Sequence, residues 1–133
     1  ARHIEVIVNL LSIRIQGDRE GLALVLRNLL ENAIKFSRHS SHSRIEIGID
    51  LNNHKTILWI RDNGIGFDMK YNQRIFEIFE RLHRQEDYPG TGIGLALVKK
   101  AMQRMGGQVW AYSMPGEGAT FYLQLPVMQE NLT

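Results

Sequence analysis

The chain has 133 residues, enough for one compact domain with its own core. It has no cysteine, which excludes a disulfide framework and a thiolate metal site, and neither a membrane-crossing apolar run nor a signal-peptide pattern is present. The net charge of +2 is nearly balanced and gives no nucleic-acid footprint. The chain opens on Ala1 rather than on an initiator methionine, so it reads as a piece of a longer protein.

In chain order, Ile4 to Val8 is a β-branched run and Ser12 to Gln16 alternates, so both predict strands. Asp18 can cap a helix running to about Phe36, with Leu22, Leu26, Leu29, Leu30 and Ala33 as its apolar face. Residues 37–43 form a polar loop. "RIEIGIDL" alternates strictly, with Ile45, Ile47, Ile49 and Leu51 on one side. "NNHK" turns the chain and "TILWIRD" runs back, the clearest hairpin in the sequence. "NGIGF" interrupts the pattern, and residues 70–80 are weakly helical. Residues 81–92 are polar with Pro89, Gly90 and Gly92. A helix follows from about Ile93 to Met105, ended by Gly106 and Gly107. "QVWAYS" and "ATFYLQL" give two closing strands around "MPGEG". Residues 1–127 make the domain, and 128–133 read as a disordered tail. Strands, helix, hairpin, loop, helix and hairpin in that order predict an α+β fold. It is a two-layer sandwich whose mixed, largely antiparallel sheet is covered on one face by helices.

The first helix carries an unusual stripe. With a helix turning about 100° per residue, Asn32, Lys35 and Glu31 fall within about 60° of Asn28, and the leucines lie roughly opposite. A solvated face is the ordinary reading of such a stripe. Solvated faces favour Glu, Lys, Gln and Arg, however, and asparagine is a weaker helix former than any of these. A ligand-handling stripe accounts for it better. Amide oxygens suit Mg²⁺, which keeps waters and shares phosphate oxygens, and Lys35 can meet a phosphate as a point charge.

Two glycine-rich segments follow. "RDNGIGF", Arg61 to Phe67, taken alone reads as a tight turn, since Asn-Gly is a strong hairpin signal. Its two alternate glycines, and the lack of a strand pairing straight back, argue for more. Asp62 at the strand end can accept from an amino group such as that of adenine. "PGTGIGLALVKK" places Gly90, Gly92 and Gly94 at a helix start, where bare backbone N–H groups form an anion site. A flexible linker has the same glycines. The segment is neither a dinucleotide fingerprint nor a Walker A loop.

The three signals, in this order, resemble the ATP-binding catalytic domain of sensor histidine kinases, the Bergerat fold. Asn28 to Lys35 is similar to the N box, Asp62 to Gly66 to the first glycine box, Ile75 to Leu82 to the F box and Gly90 to Leu95 to the second glycine box. Gly116 to Pro126 is similar to the closing strand. The segment "RLHRQEDYPGTGIGL" looks most like kinase modules attached to phytochromes. The resemblance implies ATP or ADP held under a mobile lid, with Mg²⁺ on Asn32 and Asn28. Lys35 would contact phosphate and Phe36 border the nucleotide. Asp62 would accept from the adenine amino group while Gly64 and Gly66 let the backbone approach the base. Thr120 would support adenine through water. Gly90, Thr91, Gly92, Ile93, Gly94 and Leu95 would line the phosphates. Phe76 and Phe79 would anchor the lid, with Phe79 also beside the nucleotide. Glu31, Asn32, Lys35 and Arg81 would serve phosphoryl transfer.

The resemblance further implies transfer of the γ-phosphoryl group to a histidine on a separate dimerisation domain, of the same protein or of its dimer mate, and then to a response regulator. It implies neither nucleic acid nor membrane contact for this domain. The domain would be cytoplasmic, in a full-length protein either soluble or membrane-attached. His3, His39, His42, His54 and His83 lie in no phosphoacceptor setting and read as surface histidines. Two alternatives share the motifs: an ATP-hydrolysing domain of the gyrase, Hsp90 and mismatch-repair group, and a nucleotide-sensing module without phosphotransfer.

Overall fold

A computed structural model of the protein describes residues 4–9, 19–52, 55–77 and 94–126. The expected strand at Ser12 to Gln16, the Asp18 cap and the tail lie outside the described residues. So do Phe79, Arg81, Gly90, Thr91, Gly92, Ile93, His3, His54 and His83. The elements are β1 (Ile4–Asn9), α1 (Arg19–Phe36), β2 (Ser43–Asn52), β3 (Lys55–Asp62), two 3-10 turns (Met69–Tyr71 and Arg74–Phe76), α2 (Gly94–Arg104), β4 (Gln108–Ser113) and β5 (Ala119–Pro126).

The strands form one sheet in the order β1-β2-β3-β5-β4. β1 runs parallel to β2, and the remaining pairs are antiparallel. The sheet is therefore mixed and largely antiparallel, as the alternation predicted. The parallel pair follows from α1, because a parallel neighbour needs a crossover rather than a tight turn. His42 Nε2 meets Glu5 Oε2 at 2.7 Å and ties the loop before β2 to β1.

Alternation sets the two faces of the sheet. On β3, Thr56, Leu58, Ile60 and Asp62 are buried, and on β5 Ala119, Phe121, Leu123 and Leu125 line up with them. The helices cover this face. α1 contributes Val25, Leu29 and Ala33, and α2 contributes Val98 and Met102. Leu22, Leu26 and Leu30 flank that seam only partly buried. The helix is thus rotated slightly from the expected face, and Val25 is at its centre.

α2 ends in a Schellman motif. The Gly106 N–H donates to Gln103 and the Gly107 N–H to Met102, with Gly106 at φ +76°. Two short 3-10 turns stand across residues 69–77, where a weak helix was expected from 70, and the rest of that expected helix, 78–80, lies outside the described residues. The second buries Ile75 and Phe76, and the Phe76 ring meets Phe121 edge-on at 6.2 Å. This part of the F box is seated on the core.

Candidate functional site

Where β3 ends, the chain enters the first glycine loop against the end of α1. Asp62 is 5% exposed, and one of its carboxylate oxygens accepts the Gly64 N–H at 2.8 Å. Burial pushes its pKa up from 3.8 to about 6, against backbone hydrogen bonds from Gly64 and Ala119 that favour the charged form. At neutral pH the group is still mostly a carboxylate, an acceptor with lone pairs to spare.

The loop is held by backbone. The Ile65 N–H donates to the Phe36 carbonyl at 3.1 Å, and the Gly116 N–H donates to the Ile65 carbonyl at 2.7 Å. The Phe67 N–H donates to Ser113 Oγ at 2.8 Å, and that hydroxyl donates to the Gly118 carbonyl at 2.6 Å. A Cβ at Gly64 would collide with the Phe36 carbonyl. Gly66 has φ +66°, and a Cβ there would meet the Met114 carbonyl. Both glycines are therefore required by the packing of the loop itself, whatever else approaches them.

On α1, Asn28, Asn32, Lys35 and Phe36 are half-buried, and Glu31 is exposed. Asn28 donates through Nδ2 to the Leu24 carbonyl at 2.8 Å, which fixes the amide plane. Its Oδ1 then lies where a Cβ on Gly94 would sit 3.0 Å away. The stripe and the start of α2 are thereby brought together. Leu95 follows at the same helix start, half-buried. The Lys35 ammonium sits 4.8 Å over the Phe36 ring. Phe36 itself joins the two halves, with its side chain beside Lys35 and its carbonyl bonded to the glycine loop.

Thr120 lines one hollow with Asp62, Ser113, Gly118 and Ala119. It belongs with Tyr122 and Gln124 on the opposite face of the sheet, and its hydroxyl accepts from Arg61 Nε at 3.2 Å. The residue across from Asp62, on the same face, is Ala119. Thr120, expected to support adenine through water, borders the hollow beside Asp62 from the other face of the sheet, with its hydroxyl bonded to Arg61.

Among the described residues no cluster of three or more His, Asp or Glu side chains is arranged to hold a metal. The donor set near Asn28 and Asn32 is instead two neutral amides. That set fits Mg²⁺ that keeps several waters and takes further oxygens from phosphates.

Residues 17–129 match the family described as histidine kinase-, DNA gyrase B-, and HSP90-like ATPase. The chain belongs to this family. It is 42% identical over 113 residues to the phytochrome-like protein Cph1 of Synechocystis sp., covering 85% of this chain and 15% of that protein. It is 35% identical over 135 residues to the sensor histidine kinase WalK of Bacillus subtilis, covering 97% of this chain and 22% of the relative. The chain thus spans less than a quarter of the length of these two relatives. Among solved structures, the mycobacterial sensor histidine kinase MprB superposes with a TM-score of 0.82 at 27% identity, covering 96% of this chain and 84% of that one. Full-length ShkA in complex with AMPPNP superposes with a TM-score of 0.77 at 25% identity, covering 97% of this chain and 27% of that one. The fold is the α+β sandwich shared by histidine kinase catalytic domains.

In this member of the family, sequence reasoning passed over two side chains that shape the site. Ser113 Oγ joins the glycine loop to the turn before β5. Asn63 accepts the Arg44 N–H at 2.9 Å and donates to the His42 carbonyl at 2.6 Å, fixing the end of β3 to the start of β2. The inward phase of Ser113 in "QVWAYS" was a signal for the first. The second had none, because "DNG" reads as a turn whichever way the asparagine faces.

Proposed function

We propose that the chain is the ATP-binding catalytic domain of a sensor histidine kinase. The observation that carries the reading is one constellation. A buried carboxylate at a strand end and a backbone-built glycine loop adjoin a helix stripe of amides and an ammonium that reaches the start of α2. The family membership supports it, as do relatives named as histidine kinases and a neighbouring structure that holds AMPPNP.

In this reading Asp62 accepts from the adenine amino group with the oxygen lone pairs that Gly64 leaves open. Gly64 and Gly66 keep side chains out of the base's approach. Phe36 borders the nucleotide, and Lys35 stands over its ring to neutralise phosphate charge. Gly94 and the Leu95 amide, at the first turn of α2, offer N–H groups to phosphate oxygens, where the helix dipole favours an anion. Asn32 and Asn28 would hold Mg²⁺, which would offset the charge of the phosphates. Catalysis is then mostly positioning and charge stabilisation. Glu31, exposed on the same stripe, would orient the incoming imidazole or a water. The acceptor histidine lies on a separate helical domain, and a response regulator follows as the next acceptor.

The test is calorimetry with ATP, with and without EDTA, beside transfer of label from ATP to a supplied helical-hairpin fragment bearing the acceptor histidine. Mg²⁺-dependent binding and labelling of the fragment, not of this chain, are expected. Asn32→Ala should lose the Mg²⁺-dependent part of the binding and the labelling, and keep the preference for ATP over GTP. Equal affinity with and without EDTA would remove Asn32 from the metal site. Strong acid-labile label on this chain alone would overturn the separate-acceptor reading.

A further inference from the structure

β1 is lightly secured. Among the described residues it stands at one end of the strand order, with β2 as its neighbour. Ile4 and Ile7 are half-buried, while Val6 and Val8 are 51% and 57% exposed. A strand with so little buried surface unpairs locally at a lower cost than opening the whole domain.

One side-chain contact supplements its backbone ladder. His42 Nε2 meets Glu5 Oε2 at 2.7 Å, and Glu5 lies opposite Arg44 in the parallel register. The same stretch of chain is gripped from the other side by Asn63 of the glycine loop. Asn63 Nδ2 donates to the His42 carbonyl at 2.6 Å, and its Oδ1 accepts the Arg44 N–H at 2.9 Å. The Asn63 N–H donates to the Arg44 carbonyl at 3.3 Å, and Ser40 Oγ donates to the Asn63 carbonyl at 3.0 Å. Every polar atom of Asn63, backbone and side chain, is thereby bonded to residues 40–44. Its chain neighbours are joined across it, the Gly64 N–H donating to the Asp62 carboxylate at 2.8 Å. The loop at Asp62 therefore cannot shift without carrying residues 40–44 with it, and His42 passes that shift to β1.

We infer that β1 is a regulatory strap for the nucleotide site, whose pairing in the sheet and ATP binding favour each other through Glu5, His42 and Asn63. The inference rests on the placing of adenine at Asp62 proposed above. A base held by Asp62 and the glycine loop fixes Asn63, Asn63 fixes the backbone of residues 42–44, and the His42 ring is then held at Glu5. Coupling between two equilibria is reciprocal, so undocking of β1 lowers ATP affinity without any contact to the nucleotide. The ion pair is exposed, which limits the coupling to roughly two- to fivefold.

The experiment follows hydrogen exchange of the amides of residues 4–9 with and without a saturating non-hydrolysable ATP analogue, its binding measured by calorimetry. In the wild type the analogue should slow this exchange by roughly two- to fivefold. Glu5→Ala and His42→Ala should each weaken ATP binding about threefold, and the double variant no further than either alone, because the two remove one contact. In His42→Ala the bound analogue should no longer slow β1, whereas general stabilisation by a ligand would slow it in that variant too. Asn63→Ala should uncouple β1 in the same way, and the two surface variants carry the test if that change prevents folding. A bound analogue that leaves β1 exchange unchanged, slowing that survives in His42→Ala, or unaltered ATP affinity in both surface variants would overturn the strap and leave the nucleotide site standing. Absence of analogue binding by the wild type would overturn both.

Discussion

The two ends of β3 bury polar groups on the same face of the same sheet and treat them in opposite ways. At the start, Thr56 is 1% exposed, and its hydroxyl finds no hydrogen-bond partner among the described residues. At the end, Asp62 is almost as deeply buried, yet it takes backbone N–H groups from Gly64 and Ala119 and anchors a loop. A neutral hydroxyl without a partner costs about 1–3 kcal/mol. A buried carboxylate is worse, and it is tolerated only where donors surround it. The difference separates a polar group left over from packing from one that organises the chain around it.

The largest break in this contrast should come from the loop that supports Asp62. Gly66→Ala adds a Cβ where φ is positive and the Met114 carbonyl already lies. It should destabilise the domain by roughly 3 kcal/mol or more, from backbone strain and forced displacement together. Urea unfolding would measure this, and a loss below about 1 kcal/mol would mean that the loop yields easily.

Asp62→Asn should separate binding from stability. ATP affinity should fall by about 1.5–3 kcal/mol, the usual worth of a hydrogen bond to a charged group. The apo domain should become more stable in the same variant. The sign follows from the raised pKa. Between 3.8 and about 6 the folded state binds the proton more tightly than the unfolded state, so wild-type stability falls as pH rises through that window and is flat above it. The full cost of the charge, roughly 3 kcal/mol at most, is therefore present above pH 6 and absent below the unfolded value. Denaturation of wild type and variant at pH 3.5, 5 and 8 should show a gap that opens with pH. A constant gap would remove the charge from the explanation.

ATP binding by the wild type should itself weaken as pH falls through about 6, as Asp62 gains a proton and loses acceptor capacity. Calorimetry at pH 5 and pH 8 measures it, with Asp62→Asn as the variant that should show far less of this change.

The smallest effect belongs to the other end. Thr56→Val replaces the unpartnered hydroxyl by a methyl of nearly the same shape. It should stabilise by about 1 kcal/mol, equally at all pH values, and leave ATP affinity unchanged. A loss of stability would show that the hydroxyl has a partner after all.

Much of this was legible in the residues, and the failures have physical causes. Strict alternation at Ile45 to Leu51 and Thr56 to Asp62 identified the central hairpin, because a period of two has few other uses. Gly106 and Gly107 announced the end of α2. The partner of β1 was not legible, since periodicity describes a strand and not its neighbour. Val25 was overlooked as a core residue because five leucine and alanine positions already filled a plausible face. Thr120 is the instructive case. "ATFYLQL" alternates with Ala119, Phe121, Leu123 and Leu125 on the apolar side, so the strand itself placed Thr120 outward. Its role beside adenine came from family resemblance alone, because the local pattern gives a side chain's face and not its ligand.

The parallel pairing of β1 has a consequence for the order in which the domain assembles. Ile4 finds Ser43 only after the whole of α1 has intervened, whereas β2 and β3 pair across a tight reversal. On a ribosome adding about 5–20 residues per second, the first strand waits on the order of seconds for its neighbour to emerge. Its valines are an exposed aggregation hazard of this domain, and Glu5 within the run is a built-in gatekeeper during that wait.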